Sequence, residues 1–217
     1  MTVVCPACGF ENSEQARFCG GCAAPLDVVA PTRETRKTVT IVFCDVTGST
    51  SLGERLDPES LRRVLARYFE AMRLVIEQHG GTVEKFIGDA VMAVFGIPVV
   101  HEDDGLRAVR AATGMREALA RLNEELEHDY GTRLEARIGV NTGEVVTGTE
   151  ERLATGDAVN VASRLEQAAS PGEILLGLET YRLVRACVSP RSDAIAAEAS
   201  GSDGRASSCF TTCTTGQ

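Results

Sequence analysis

The chain has 217 residues, with 31 Asp and Glu against 22 Lys and Arg and a formal charge of −9. Hydrophobic content of 43% and charged content of 24% exclude wholesale disorder, and the acidity argues against a phosphate-neutralising nucleic-acid binder. No run of 18 apolar residues occurs and Met1–Pro6 has neither a basic nor an apolar leader, so the expectation is a cytoplasmic chain with no membrane span.

Eight cysteines in a reducing compartment call for an explanation other than disulfides. Four form two knuckles, Cys5-Pro6-Ala7-Cys8 and Cys19-Gly20-Gly21-Cys22, separated by ten residues. A small residue, Gly9 or Ala23, follows each knuckle and keeps its turn uncrowded. Two such pairs make a closed tetrahedral site of four thiolates, which is structural rather than catalytic. Residues 1–25 cannot bury a useful core, so Zn2+ would supply their folding energy. A redox dithiol is the other reading, but no βαβ pattern surrounds either pair. The segment resembles the short zinc ribbons that open many bacterial multidomain proteins. Cys44 lies in an apolar strand and reads as a small buried hydrophobe, while Cys187, Cys209 and Cys213 have no ligand-like neighbourhood.

Residues 26–37 carry Pro31, mixed charges and no periodicity, and read as a linker. A β-branched strand follows over Thr38–Asp45. Asp57-Pro58 is an N-cap and N1 proline. The helix after it gathers Leu61, Val64, Leu65, Tyr68, Met72, Val75 and Ile76 on one face and stops at Gly80-Gly81. Thr82–Ile87 and Ala90–Phe95 form a hairpin around Gly88-Asp89. A second helix spans about 103–127. Strands at Arg133–Asn141 and Glu144–Thr149 flank Thr142-Gly143 as a second pair. A helix over Gly156–Ala169, a strand at Glu173–Leu176 and a helix near Glu179–Ala186 complete the domain, 38–186. Hairpins alternating with long helices predict an α+β fold, an antiparallel-rich sheet with helices on one face.

Three segments carry chemistry. In Phe43–Thr50 an apolar strand delivers Asp45 to its end, and a Gly/Ser/Thr turn follows whose N–H groups could cradle phosphates. In Glu84–Phe95 the hairpin turn presents Asp89, with Lys85 four residues earlier. Two carboxylates on adjacent strand ends suit a pair of magnesium ions in phosphoryl chemistry. In Thr155–Leu165 helical spacing buries Ala158, Ala162 and Leu165 and leaves Asn160 and Arg164 together on the opposite face. That pair suits sugar and phosphate recognition, or is simply a solvated surface pair.

Phe43–Thr50, Lys85–Asp89, Arg137–Gly143 and Gly156–Arg164 resemble, in order and spacing, the successive motifs of a class III nucleotidyl cyclase domain. The zinc ribbon ahead of it is similar to a group of bacterial cyclases that continue into an ATPase-like region and helical repeats. The resemblance implies a ferredoxin-like palm that converts ATP to 3′,5′-cyclic AMP and pyrophosphate with two Mg2+ or Mn2+ ions per active site. It makes Asp45 and Asp89 ligands of both metals, the Val46 carbonyl a further contact, and the amides of Val46, Thr47, Gly48, Ser49 and Thr50 the holders of the β- and γ-phosphates. It assigns Lys85 to the purine, Asn160 to the ribose and Arg164 to the α-phosphate in the transition state. It also implies a homodimer, one chain giving the metal ligands and the other Lys85, Asn160 and Arg164. An acidic chain can hold this polyanion because metal ions invert the local field.

Two features depart from the family pattern. Leu153 occupies a position that usually helps to select the purine and cannot hydrogen-bond a base edge, so selection would rest on Lys85, backbone groups or Thr155 and GTP stays open. Residues 187–217 are rich in Ser, Thr, Ala and Gly where further strands are expected, and read as a disordered or aberrant tail, as a frameshift or truncation would produce. The alternative function is a catalytically silent cyclase-homology module for regulation or dimerisation.

Overall fold

The apolar, β-branched run after the linker forms the strand on which the fold is organised. The computed structural model describes residues 2–13, 16–26, 35–147, 156–187, 189–190, 210–211 and 213–214. The chain divides into a small N-terminal unit and a larger one that begins at Arg36.

In the small unit, β1 (Thr2–Val4) and β2 (Glu11–Ser13) pair antiparallel, Val3 opposite Asn12. Cys5, Cys19 and Leu26 form its only buried apolar cluster among the described residues. Leu26, expected to open the linker, packs with Cys5 and Cys19, while 27–34 lie outside the described residues.

The larger unit holds β3 (Thr35–Thr47), α1 (Ser49–Arg55), α2 (Pro58–Gln78), β4 (Thr82–Ile87), β5 (Ala90–Phe95), α3 (Asp104–Tyr130), β6 (Glu135–Thr147), α4 (Asp157–Ala168), β7 (Ile174–Leu176) and α5 (Leu178–Val184). Short strands β8 (Ser189–Pro190), β9 (Phe210–Thr211) and β10 (Cys213–Thr214) follow, where composition predicts none; β9 joins the sheet edge beside β7 and β10 pairs with β8. The main sheet has the order β4-β5-β3-β6-β7-β9. β5 runs antiparallel to both β3 and β4, whereas β6 and β7 are parallel.

Sequence signals explain the main helix. Asp57 Oδ1 accepts from the N–H groups of Glu59 and Ser60 at 3.1 and 3.0 Å, and Pro58 opens the first turn. Val64, Tyr68, Met72, Val75 and Ile76 are buried against the sheet, each contributing about 1.5–3 kcal/mol. α2 and α3 cover one sheet face with Val42, Cys44, Val91, Ala93, Ile138 and Val140 beneath them. α4 covers the other, its Ala158 and Ala162 packed with Ile41, Phe43 and Val94. Helices thus occupy both faces, not one as the element order suggested.

A second correction concerns 133–149. Instead of a strand pair there is one strand, β6, running through Thr142-Gly143. Thr142 is buried and its hydroxyl bridges those of Thr40 and Thr180, each at 2.9 Å. Gly143 faces α4, where a Cβ would come within 2.8 Å of the Ala158 Cβ. Both turn-forming residue types are engaged by neighbours, and the strand continues through them. No helix among the described residues is long and apolar enough to cross a membrane.

Candidate active site

Cys44, near the end of β3, pairs with Val91 of β5, which places Asp45 beside the β4–β5 turn that carries Asp89. A register shift between Val83 and Lys85 breaks the alternation of β4, and Lys85, Phe86 and Ile87 emerge exposed near that turn. The segment expected as a phosphate-cradling turn is a helix start: Gly48 adopts φ 73°, and α1 begins at Ser49 with no side-chain cap on its first amides. The Thr50 side chain, Leu153 and Thr155 lie outside the described residues.

Across from Asp45, β6 presents Arg137, whose Nη2 lies 3.0 Å from Asp45 Oδ2. The same guanidinium turns its Nε to Glu166 Oε1 of α4 at 2.5 Å, and its Nη1 donates to the Gln167 carbonyl at 3.4 Å. Asn123 fixes the entry to β6: its amide donates to the Leu134 carbonyl at 2.8 Å and accepts from the Leu134 N–H at 2.7 Å. Motif reading gave Arg137 no role and overlooked Glu166. The signals were present: one arginine inside the apolar run Ala136–Val140, and a carboxylate that continues the buried Ala158, Ala162 stripe of α4.

Burial pushes the Asp45 carboxyl above its ordinary range; the Arg137 hydrogen bond opposes this, and the charge of Asp89 adds to it. Burial likewise raises Glu166, against the attraction of Arg137. The neighbouring carboxylates of Asp45 and Asp89 offer oxygen ligands that fit a hard divalent ion, with Arg137 paired to the first of them.

Both carboxyls release their protons at higher pH in the folded than in the unfolded chain. The stability they confer is full below the unfolded carboxylate range and is lost as pH rises through their folded values. Asp45→Asn is therefore expected to melt higher than the parent near about pH 7 without added divalent cation, the gap closing below about pH 4. Tyrosine fluorescence measures this in the larger unit alone, since Tyr68, Tyr130 and Tyr181 all lie in it. An Asp45→Asn chain that melts lower at both pH values would contradict the assignment.

Lys85, Asn160 and Arg164 are exposed and make no hydrogen bond or ion pair among the described residues. The structure sets Asn160 and Arg164 on one open face of α4, as helical spacing predicts, and joins neither to Asp45 or Asp89.

In the small unit, the Sγ atoms of Cys5, Cys8, Cys19 and Cys22 all lie within 4.8 Å of one another, with 3.7 Å between Cys5 and Cys22 and 3.5 Å between Cys8 and Cys19. A tetrahedron with metal–sulfur bonds of about 2.3 Å has edges of about 3.8 Å, so the set fits a zinc ion. The two knuckles repeat one pattern. Cys5 N–H donates to the Phe10 carbonyl and Gly9 N–H to that of Cys5; Cys19 N–H donates to Ala24 and Ala23 N–H to Cys19. Gly9 and Ala23 both take positive φ, 75° and 57°, which costs the alanine about 1 kcal/mol. Burial raises the Cys19 thiol, but N–H groups of Cys22 and Gly21, then Cys8 and Asn12, outweigh it and bring it down to about 6. Asn12 is buried, donates toward Cys19 Sγ at 3.7 Å and accepts from the Gly20 N–H at 2.8 Å.

A six-stranded mixed sheet with paired carboxylates at adjacent strand ends defines the class as a palm-like α+β domain. Comparison narrows it. Residues 32–202 match the family model of the adenylate and guanylate cyclase catalytic domain, and the chain belongs to that family. Among curated relatives, it is 39% identical over 142 residues to an adenylate cyclase of Anabaena cylindrica, covering 60% of this chain and 27% of that protein. It is 36% identical over 137 residues to adenylate cyclase 1 of Rhizobium meliloti, covering 60% and 21%. The chain thus spans about a quarter of the length of these relatives. Among solved structures, the adenylyl cyclase CyaB from P. aeruginosa superposes with a TM-score of 0.75 at 34% identity, covering 82% of this chain and 94% of that one. The guanylyl cyclase Cya2 does so with 0.75 at 32% identity, covering 85% and 95%.

Proposed function

We propose that the chain is an adenylate cyclase that converts ATP to 3′,5′-cyclic AMP and pyrophosphate at a site shared by two copies, in the cytoplasm. The observation that carries this reading is the closeness of the Asp45 and Asp89 carboxylates, with Arg137 paired to Asp45, in a chain of the cyclase family. Asp45, Asp89 and the Val46 carbonyl would hold two Mg2+ or Mn2+ ions. Such ions, when bound, lower the pKa of the ribose 3′-hydroxyl and neutralise triphosphate charge.

The chain's own groups do the rest. Amides of Val46 to Thr50, from the end of β3 to the start of α1, hold the β- and γ-phosphates. Lys85 contacts the purine edge and Asn160 fixes the ribose. The 3′-oxygen forms its bond to the α-phosphorus as the bond to pyrophosphate breaks, and the hydroxyl proton leaves to solvent. Arg164 meets the charge that develops on the α-phosphate, where an aligned guanidinium is most effective. Because the side chains of Lys85, Asn160 and Arg164 have no partner among the described residues, a second copy can bring its own set to Asp45 and Asp89.

Purified chain incubated with ATP or GTP and Mg2+ or Mn2+, with the product identified, tests this. Cyclic AMP is the expected product, lost in Asp45→Ala and in Asp89→Ala. Retained activity in either variant overturns the metal assignment. Cyclic GMP from GTP alone reassigns the substrate, and no cyclic nucleotide from either favours a silent regulatory module.

The four ribbon cysteines we assign to one structural Zn2+. One zinc per chain is expected on release by a thiol-blocking reagent, and Cys19→Ser should release it without reagent. Asn12→Ala should weaken zinc affinity by about 10-fold or more through loss of the bond toward Cys19 Sγ. Stoichiometry of zero, or an Asn12→Ala ribbon of full affinity, would contradict the assignment.

A further inference from the structure

Glu166 is the least expected charge in the larger unit. Its side chain is 6% exposed, on the face of α4 where Ala158 and Ala162 meet the sheet. An apolar residue would serve packing there at least as well, since a buried ion pair rarely stabilises a fold over a hydrophobic replacement. Gly139 of β6 sits against the backbone of Ala162 and Glu166, so this carboxylate is held at a fixed depth beside Arg137. Its Oε1 and Arg137 Nε are charge-paired at 2.5 Å, but neither atom has an aligned hydrogen bond. The guanidinium is thus divided between Glu166 on one side and Asp45 on the other, with its best-formed bond to Asp45.

From this juxtaposition we propose that Glu166 is a positioning residue for Asp45, acting through Arg137. By sharing the guanidinium, it keeps Arg137 from becoming the full counter-ion of Asp45 and so sets the affinity of the Asp45–Asp89 pair for a divalent cation. The inference rests on the metal-site reading above and adds a residue to it. Arg137 competes with any cation for Asp45 Oδ2; Glu166 competes with Asp45 for Arg137. Removing Glu166 transfers the guanidinium's whole charge to Asp45 and makes it harder to displace.

Mn2+ alone, titrated into the full zinc-loaded chain without nucleotide and followed by the resonance signal of free Mn2+, tests this. Glu166→Gln is expected to weaken Mn2+ binding about 10-fold, the scale of outer-sphere effects on metal sites, and Glu166→Asp to recover most of the loss. Arg137→Met is expected to tighten binding severalfold, and Glu166→Gln to have less than about a twofold effect in that background, because the two act in series. Unchanged Mn2+ affinity in Glu166→Gln, or an equal loss with and without Arg137, overturns the proposal. Should Glu166→Gln fail to fold, the Arg137→Met arm decides alone: no tightening overturns it. Failure of the underlying reading looks different, since Asp89→Ala would then bind Mn2+ as tightly as the parent.

Discussion

Gly139→Ala should reduce turnover by about 100-fold although residue 139 touches no reacting group. A Cβ at this position would lie 2.4 Å from the Ala162 carbonyl oxygen, 2.4 Å from the Glu166 nitrogen and 3.0 Å from the Glu166 Cα, all of them backbone atoms of α4. A flexible side chain can step aside from such a contact; a helix backbone has to move bodily. Overpacking of this kind costs about 1–3 kcal/mol, and a displacement near an ångström costs about 100-fold in rate where groups must align on a reacting centre. Asn160 and Arg164 ride on this helix, and Glu166 reaches Arg137 from it. Gly172→Ala is the control. Its φ of +80° makes alanine strained, yet nothing lies within 4 Å of the added Cβ. It should lose about 1–2 kcal/mol of stability and keep its turnover. Equal kcat in Gly139→Ala and the parent would show that α4 is not held where the active site needs it by this contact.

The same contact explains what could and could not be read along the chain. Elements whose periodicity is local were legible: the α2 stripe from Val64 to Ile76, its Asp57 cap, and the β4–β5 hairpin at 82–87 and 90–95 all lie where spacing puts them. Thr142-Gly143 misled because its turn-forming character is overridden by partners far away in sequence, Thr40, Thr180 and Ala158. α1 was missed because seven residues, two of them Ser and one Gly, carry too little pattern to separate a helix from a turn. The closeness of Asp45 and Asp89 was legible because one lies near the end of an apolar strand and the other in the turn of the neighbouring hairpin. Arg137 and Glu166 were not, since the first meets Asp45 only through the neighbouring-strand register and the second only through the closeness that Gly139 permits. A buried carboxylate on a helix stripe nevertheless states a demand for a cation, and that demand was readable before its partner was.

Mixing two inactive variants should restore activity if the site is shared. Asp45→Ala removes a carboxylate proposed to hold metal and leaves Asn160 intact; Asn160→Ala does the reverse. Neither homodimer then holds a complete site. In an equal mixture that exchanges freely, about half of the dimers contain one chain of each kind. One of the two symmetric sites in such a dimer takes its carboxylates from the Asn160→Ala chain and its asparagine from the Asp45→Ala chain, and is whole; the other lacks both. Recovered activity should therefore approach about one quarter of the parent's, from less than about 1% in either variant alone. The position of Asn160 and Arg164 on an open face of α4, without partners among the described residues, is what makes them available to a second chain. Mixing Asp45→Ala with Asp89→Ala is the matching negative control, because both carboxylates come from the same chain and no pairing of these variants reunites them. No recovery in the Asp45→Ala and Asn160→Ala mixture, after exchange has been verified by a tagged chain, would place all five residues in one subunit, whereas recovery in the control would place Asp45 and Asp89 in different subunits.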